Sequence, residues 1–273
     1  MTHLCTETST DPKAGATGVG DVTRGVHAAV GGGSETTREA GLRQPVPHWE
    51  PASIPGISTL LQRTVSLCAS LPRRLEDLQL VLGRGRSETY RHVGRGIELG
   101  LLTRVSLLRG VAALIVATDE AHRLVGSGLT QTRLGPAAIV HAATCSAVAA
   151  RLALDLPGRE QLSDAELRRE EALAGRPIAS AVLGEREGRE RLHRPDIVLL
   201  GAELPTAIEV ELSPKAPQRL LEIVGAWRRA SHLGEVVYIC RPGVTQRAVL
   251  AAVKKAQAQD RVRIVELGKA ARG

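Results

Sequence analysis

Two stretches decide the fold of this chain: HRPDIVLL at residues 193–200 and IEVELSPK at residues 208–215. Each contains the short apolar run of a β-strand, and in the second stretch apolar and acidic residues alternate. Because successive side chains of a strand point to opposite faces, Glu209 and Glu211 are predicted to share one face, opposite Ile208, Val210 and Leu212. The two stretches therefore predict two strands, one of which carries its acidic groups on a single face.

Three carboxylates, those of Asp196, Glu209 and Glu211, converge if the two strands are neighbours. Crowded carboxylates repel one another unless a cation or a proton compensates them, and a hard ion such as Mg²⁺ takes oxygen ligands of this kind. The pattern therefore indicates a metal site. It also fits an ordinary half-exposed strand that follows a Pro-Asp turn, and the spacing alone does not separate the two interpretations.

The sequence around these strands alternates between helical and strand patterns. Ser163 and Glu166 have the spacing of a capping box. His141 and Cys145 lie one helical turn apart, a spacing that metal pairs use, but in an Ala-rich helix it is more typical of packed core. The order predicts an α/β domain with a mixed sheet. Its helices are predicted over residues 136–154, 162–174, 218–231 and 245–258, and its strands over 178–183, 196–200, 207–212, 235–240 and 262–267.

The preceding segment has the pattern of a winged helix-turn-helix, in which the third helix enters the major groove and a hairpin contacts the backbone. Helices are predicted over residues 57–71, 73–82 and 87–102, strands over 104–108 and 111–117, and a short helix over 118–126. Ser87 is the predicted N-cap of the third helix, with Tyr90, Val93, Ile97 and Leu101 facing inward. The expected DNA-binding residues are Arg84, Arg86, Ser87, Thr89, Arg91, His92, Arg95, Arg104 and Arg109.

Positive charge is densest in this N-terminal part. The chain carries a net charge of +7, and residues 51–134 hold 11 Lys and Arg against 6 Asp and Glu. A basic module is expected to contact phosphates, although an Arg-rich composition throughout the chain gives a similar excess. Aromatic residues make up 1% of the chain, which argues against base-stacking platforms for single strands. Double-stranded DNA is therefore the expected partner, and the oligomeric state stays open between a monomer and a homodimer.

Cysteine usage and the N-terminal sequence favour a cytoplasmic protein without a membrane span. Cys5, Cys68, Cys145 and Cys240 are far apart and form no C-x-x-C pair, so reduced thiols are expected. Residues 1–56 are rich in Gly, Thr and Ser, and are predicted to be a disordered tail or sequence upstream of the true start. No run of about 18 apolar residues is present, and the polar N-terminus differs from a signal peptide.

The C-terminal part, residues 136–273, resembles the PD-(D/E)xK nuclease superfamily, whose restriction-endonuclease-like core places a Pro-Asp at one strand and (D/E)-x-K on the next. Asp196 matches the first acid and Glu209 the second. Together with a winged helix over residues 57–126, the chain is similar to the plasmid replication-relaxation proteins, in which a helix carrying a His precedes the sheet. His141 is the matching residue. The resemblance implies a Mg²⁺ site at Asp196, Glu209 and Glu211.

One position departs from the superfamily pattern: Glu211 stands where its Lys is expected. In the superfamily, that Lys orients or activates the attacking water and stabilises developing charge, and a carboxylate cannot stabilise that charge. Lys215, or Arg219 on the following helix, is the candidate to supply the missing cation. Glu166 or Glu170 is the family-style fourth acid. Catalysis would then depend on Asp196, Glu209 and Lys215, and the departure indicates a degenerate site.

Three functions follow from these observations. The first, which we prefer, is a DNA-binding protein of plasmid or mobile-element type that acts in replication, relaxation or their regulation. The second is an active Mg²⁺-dependent endonuclease that nicks or cuts DNA. The third is a transcriptional regulator or antitoxin-like protein, in which the buried Glu209 and Glu211 pair with Arg instead of metal.

Overall fold

The fold is described here from a computed structural model, which describes residues 54, 56–201 and 203–268. These residues form a mixed α/β structure with eight helices and with strands in three sheets. The α/β class and the mixed sheet are therefore confirmed. The tail predicted over residues 1–56 lies outside the described residues except for Ile54 and Gly56.

The N-terminal module contains four helices and a three-stranded antiparallel sheet of order β1-β3-β2. Ser58 caps the first helix by accepting a hydrogen bond from the backbone of Leu61, and Thr118 caps the last by accepting one from Ala121. The elements are α1 Thr59–Ser70, β1 Arg73–Arg74, α2 Leu75–Leu82, α3 Arg86–Glu98, β2 Leu102–Val105, β3 Leu114–Ala117 and α4 Asp119–Leu124.

Several predicted boundaries in this module are wrong. The second helix begins at Leu75 instead of residue 73, because Arg73 and Arg74 pair with Ile115 and Leu114 of β3. Ser87 is not the N-cap of α3; the cap is Gly85, and the helix begins at Arg86. The two later strands are shorter than expected, and residues 106–113 connect them.

The C-terminal module is built on a five-stranded sheet of order β10-β9-β8-β7-β4. β8 pairs with β9, and β9 with β10, in the parallel direction, whereas β4 pairs with β7, and β7 with β8, in the antiparallel direction. The sheet is therefore mixed, as predicted. The elements are α5 Pro136–Asp155, β4 Gln161–Ser163, α6 Asp164–Ala174, β5 Ala181–Arg186, β6 Arg189–His193, β7 Ile197–Leu199, β8 Thr206–Glu211, α7 Pro217–Arg229, β9 Glu235–Cys240, α8 Val244–Ala256 and β10 Val262–Glu266.

The strand predicted over residues 178–183 does not join this sheet. It begins at Ala181 and forms a separate two-stranded hairpin with β6. Glu187 and Gly188 make the turn with φ values of 55° and 73°, and a two-residue turn with positive φ at both positions matches the twist of a hairpin. The capping box at the start of α6 is present as predicted, with Ser163 and Glu166 bonded reciprocally.

Helices cover both faces of the large sheet. α7 and α8 pack on the face that includes Val198 and Ala207, whereas α5 packs on the face that includes Ile208 and Val210. The predicted alternation in β8 is therefore confirmed. Glu209 lies next to Tyr238 of β9, on the face of the sheet that α7 covers and opposite the face that α5 covers.

Helix α5 is shared between the two modules. Its Ile139 packs against Leu114 and Val116 of the small sheet, and its Val148 packs against the large sheet. Among the described residues, α5 is the one helix whose length and composition would allow a membrane span, with a mean hydropathy of 1.6 over its most apolar window. Half of that window is buried inside the fold, as in a core helix of a soluble protein.

Candidate functional site at the ends of the central strands

Asp196 lies immediately before β7 and joins that strand to β8 and α5. Its Oδ2 accepts a hydrogen bond of 2.7 Å from the backbone N–H of Val210. The same oxygen is 3.4 Å from Nε2 of His141, which also donates to the carbonyl oxygen of Val210 at 2.9 Å. The side chain of Asp196 therefore ties the start of β7 to both the neighbouring strand and the helix above it.

His141 and Cys145 face Asp196 from one turn of α5. Cys145 Sγ is 3.6 Å from His141 Nδ1. The hydrogen bond to Asp196, then the one to Cys145, raises the pKa of His141 to about 11. Burial raises the pKa of the Cys145 thiol to about 11. Both shifts favour the protonated forms of the His141 ring and the Cys145 thiol beside Asp196.

Glu209 is buried in the face of the sheet that α7 covers. It is 4% exposed, and its Oε1 is 2.8 Å from Nε2 of His193 at the end of β6. The ring of His193 meets Trp227 edge-on, with 5.4 Å between the ring centroids. Burial raises the pKa of Glu209, and the contact with His193 acts in the opposite direction.

Glu211 is also buried, at 5% exposure, and it accepts a hydrogen bond from the ammonium group of Lys215. Lys215 is close enough to Glu209 to act on the pKa of that carboxyl as well. Arg219 does not reach back to the strand; it pairs with Glu222 on its own helix, at 2.7 Å. Of the two candidate cations, Lys215 is therefore the one that the fold brings to the strand.

The expected Mg²⁺ ligands are not equally accessible. Each of the three acids has a basic partner, but Asp196 is partly exposed, whereas Glu209 and Glu211 are buried. Among the described residues, the one group of three potential ligands with all ligand atoms within 4.8 Å of one another is His141, Cys145 and Asp196. The geometry thus groups Asp196 with helix α5.

The expected fourth acid, Glu166 or Glu170, has other partners. Glu166 closes the capping box and accepts a hydrogen bond of 2.7 Å from Ser70 Oγ of α1. Glu170 pairs with Arg169. The acid buried in this helix is Glu171, which is 4% exposed and accepts hydrogen bonds from three backbone N–H groups of residues 178–180. Glu171 lies four residues after the buried Leu167, and this helical spacing could have identified Glu171 as a buried acid.

The buried face of helix α3 only partly matches the prediction: Val93, and Leu101 just after the helix, are buried as expected, but other positions differ. Thr89, expected to face DNA, is fully buried, and its hydroxyl donates to the carbonyl oxygen of Gly85. Tyr90 and Ile97, expected to face inward, are 42% and 41% exposed. The buried face is Thr89, Val93 and Gly96, because the absence of a side chain at Gly96 leaves room for Leu102.

The expected basic residues remain on the surface of this module. Exposed side chains are found at Arg84, Arg86, Ser87, Arg91, Arg95, Arg104 and Arg109, and His92 is half-buried. Arg86 stacks over the Tyr90 ring at 5.6 Å, and Arg95 pairs with Glu98 at 3.1 Å. Arg91 has no ion pair within the described residues. The outer face of α3 is therefore basic, with two apolar side chains beside the charges.

No protein-family model matches the chain, and a search of the curated proteins found no match.

Proposed function

We propose that this chain is a duplex-DNA-binding protein of plasmid or mobile-element type, acting in replication, relaxation or their regulation. The element order α1-β1-α2-α3-β2-β3 supports a winged helix-turn-helix, in which α3 is the helix that would enter the major groove. The antiparallel order β1-β3-β2 supports the same assignment. The proposed location is the cytoplasm, where the free thiols of Cys68, Cys145 and Cys240 would stay reduced.

The observation that carries the proposal is the outer face of α3. Its arginines are exposed, while Thr89 and Val93 attach the opposite side of the helix to the core. An arginine on such a face can bind a guanine edge or a phosphate through its planar guanidinium group. Arg104 and Arg109, in β2 and the loop after it, are exposed and would contact the backbone.

A binding experiment with matched charge changes tests this proposal. The double variant Arg91→Ala/Arg95→Ala is compared with Arg168→Ala/Arg186→Ala, which removes the same charge from exposed positions of the C-terminal module. Fluorescence anisotropy with a labelled duplex should show at least a tenfold loss of affinity for the first variant, since each base-contacting arginine contributes about 1–3 kcal/mol. Its salt dependence should also become shallower, because fewer counterions are released. Equal affinities of the two variants would exclude α3 as the recognition helix.

We infer that the C-terminal module is a degenerate nuclease-like domain. Both acids of β8 are engaged, Glu209 by His193 and Glu211 by Lys215, which supports a structural role for this strand. A second candidate function, Mg²⁺-dependent cleavage, is favoured by one observation: the Lys215 ammonium group bonds Glu211 and lies within electrostatic reach of Glu209. Incubation of supercoiled plasmid with Mg²⁺ or Mn²⁺ separates the two. Uncut plasmid supports degeneracy, and nicking that Asp196→Ala abolishes supports the endonuclease.

A further inference from the structure

Three potential metal-ligand atoms, a nitrogen, a sulfur and an oxygen, meet where helix α5 crosses the start of β7. They are a ring nitrogen of His141, Sγ of Cys145 and Oδ2 of Asp196, and all lie within 4.8 Å of one another. His141 and Cys145 come from successive turns of one helix, and Asp196 is fixed by its hydrogen bond to the Val210 N–H. The three groups thus come from two elements that the core already holds together.

The distances fit a tetrahedral ion. With Zn–N, Zn–O and Zn–S bonds of about 2.1, 2.1 and 2.3 Å, a tetrahedral site separates N from O by about 3.4 Å and N from S by about 3.6 Å. For Nε2, the ring nitrogen of His141 that faces Asp196, the observed separations are 3.4 Å to Asp196 Oδ2 and 4.0 Å to Cys145 Sγ, whereas the other ring nitrogen, Nδ1, lies 3.6 Å from Sγ. Small side-chain rotations would therefore complete the site.

The donor set selects the kind of ion. A thiolate and an imidazole favour Zn²⁺ over Mg²⁺, which requires oxygen ligands. A thiolate at Cys145 and a carboxylate at Asp196 would together neutralise a divalent cation. His141 is 41% exposed at its side chain and Asp196 is 25% exposed, so water has access to a fourth position. Three protein ligands and an open position form a coordination that zinc uses in proteins.

A cysteine protease-like triad is the other chemistry that Cys, His and Asp can form, but the surroundings of Cys145 do not suit it. A nucleophilic thiol must be reached by its substrate and is activated by a lowered pKa. Cys145 is 4% exposed on the inner side of α5, among Val148 and Leu152, and burial raises its pKa. A metal ion is small, so it can reach Cys145 without the access that a large substrate would need.

We propose that His141, Cys145 and Asp196 form a Zn²⁺ site that joins helix α5 to strand β7. Ligation requires a deprotonated Cys145 thiol and a free ring nitrogen of His141, and the hydrogen bond from His141 to the Val210 carbonyl oxygen is given up. The ion replaces these contacts with three bonds between the two elements. Because α5 also packs on the small sheet, the site would stabilise the helix that both modules share.

Cobalt substitution tests the site in the full-length protein. Co²⁺ added to metal-free protein should bind one equivalent in competition with Zn²⁺, and a thiolate ligand should give an intense charge-transfer absorption in the near ultraviolet. His141→Gln and Cys145→Ser should each weaken binding at least tenfold, and Cys145→Ser should remove that absorption. Zn²⁺ should raise the melting temperature by several degrees, with tighter binding at pH 8 than at pH 6.5, because the ligands must lose protons.

Cys68→Ser is the matched control, since Cys68 is also buried and free but belongs to the N-terminal core. It should bind Co²⁺ like the unaltered chain. If Cys145→Ser does not fold, the half-exposed His141→Gln carries the test. Absence of the thiolate band, or binding that persists unchanged in His141→Gln, would overturn the proposal, because the ion would then lie elsewhere. The result is independent of DNA binding, which is measured with variants of α3.

Discussion

At the scale of single residues, the partner of each carboxylate decides what that carboxylate can do. Glu209 and Glu211 are almost equally buried, yet the first meets an imidazole and the second an ammonium group. Asp196, at the edge of the same sheet, is partly exposed and accepts from a backbone N–H. The acid that is easiest for a metal ion to reach is therefore the one that has helix α5 beside it.

The contact between His193 and Glu209 should contribute to stability. His193→Ala leaves the buried carboxyl group of Glu209 without its hydrogen-bond partner and removes the contact with Trp227, and loss of one partner of a buried hydrogen bond costs about 1–3 kcal/mol. We expect the free energy of unfolding, measured by urea titration and circular dichroism, to fall by about 1–3 kcal/mol.

Two further variants serve as comparisons for the unfolding free energy of His193→Ala. Arg95→Ala breaks an exposed pair and should cost less than about 1 kcal/mol. Adding Glu209→Gln to His193→Ala should recover part of the loss, because a neutral amide is easier to bury than a carboxylate. A cost for His193→Ala no larger than that for Arg95→Ala would mean that the pair does not stabilise the fold.

The sequence alone identified these acids and Lys215, the partner of Glu211, but not the partner of Glu209. The alternation in residues 208–212 predicts the faces of Glu209 and Glu211, since it depends only on the period of a strand. The partner of Glu209 comes from β6, a largely polar strand whose residues show no apolar alternation and which was not predicted. The spacing of His141 and Cys145 along one Ala-rich helix is typical of packed core. It cannot reveal that both residues lie close to Asp196, because that proximity is a tertiary contact.

At the scale of elements, helix α3 is rotated relative to its predicted orientation. Counting apolar residues places Tyr90 and Ile97 inside, but a Cβ at Gly96 would lie 2.5 Å from Leu102 Cδ1, so this glycine marks the buried face. Glycine carries no hydrophobic signal, and this is why the apolar pattern gave the wrong face. The rotation leaves Tyr90 and Ile97 at the surface beside Arg91.

Two glycines of α3 give a matched test of this orientation. Gly96→Ala should lower the free energy of unfolding by about 1–3 kcal/mol, because the methyl group overpacks the site that Leu102 fills. A Cβ at Gly94 would have no neighbouring atom within 4 Å. Gly94→Ala should therefore raise the free energy of unfolding by up to about 1 kcal/mol, because alanine has the higher helix propensity. Thermal unfolding of both variants checks the sign. Equal effects would mean that α3 does not bury Gly96.

Elements with a strong period were predicted closely, and short ones were not. β9 occupies residues 235–240 as expected, and α5, α7 and α8 end within about two residues of the predicted limits, because long apolar patterns specify them. β1 and β4 have two and three residues, too few to show a period, and both exist through pairing with a longer strand. The short strands β1 and β4, together with the polar β6, were therefore the part of the fold that sequence reasoning missed.

At the scale of the whole molecule, helix α5 connects the two modules through a buried polar contact. Ser146 Oγ is fully buried, donates to Oδ2 of Asp77 at 2.5 Å and accepts from the backbone N–H of Arg74. Asp77 also accepts two hydrogen bonds from the Arg74 guanidinium group. The polar groups of this contact satisfy one another, so the helix that covers the large sheet is also fixed to α2.

We expect this contact to make the two modules unfold as one unit. Ser146→Ala removes one hydrogen bond from Asp77 and takes away the acceptor of the Arg74 backbone N–H, and should lower the free energy of unfolding by about 1–3 kcal/mol. Hydrogen exchange followed by mass spectrometry should then accelerate by a similar factor in peptides from α2 and from β8, because opening of either exposes α5. Thr144→Ala is the control on the same helix, since the Thr144 hydroxyl bonds only within α5, to the carbonyl oxygen of Val140. If hydrogen exchange accelerated in α2 alone, the modules would open separately. A zinc ion between α5 and β7 would then stabilise only the C-terminal module.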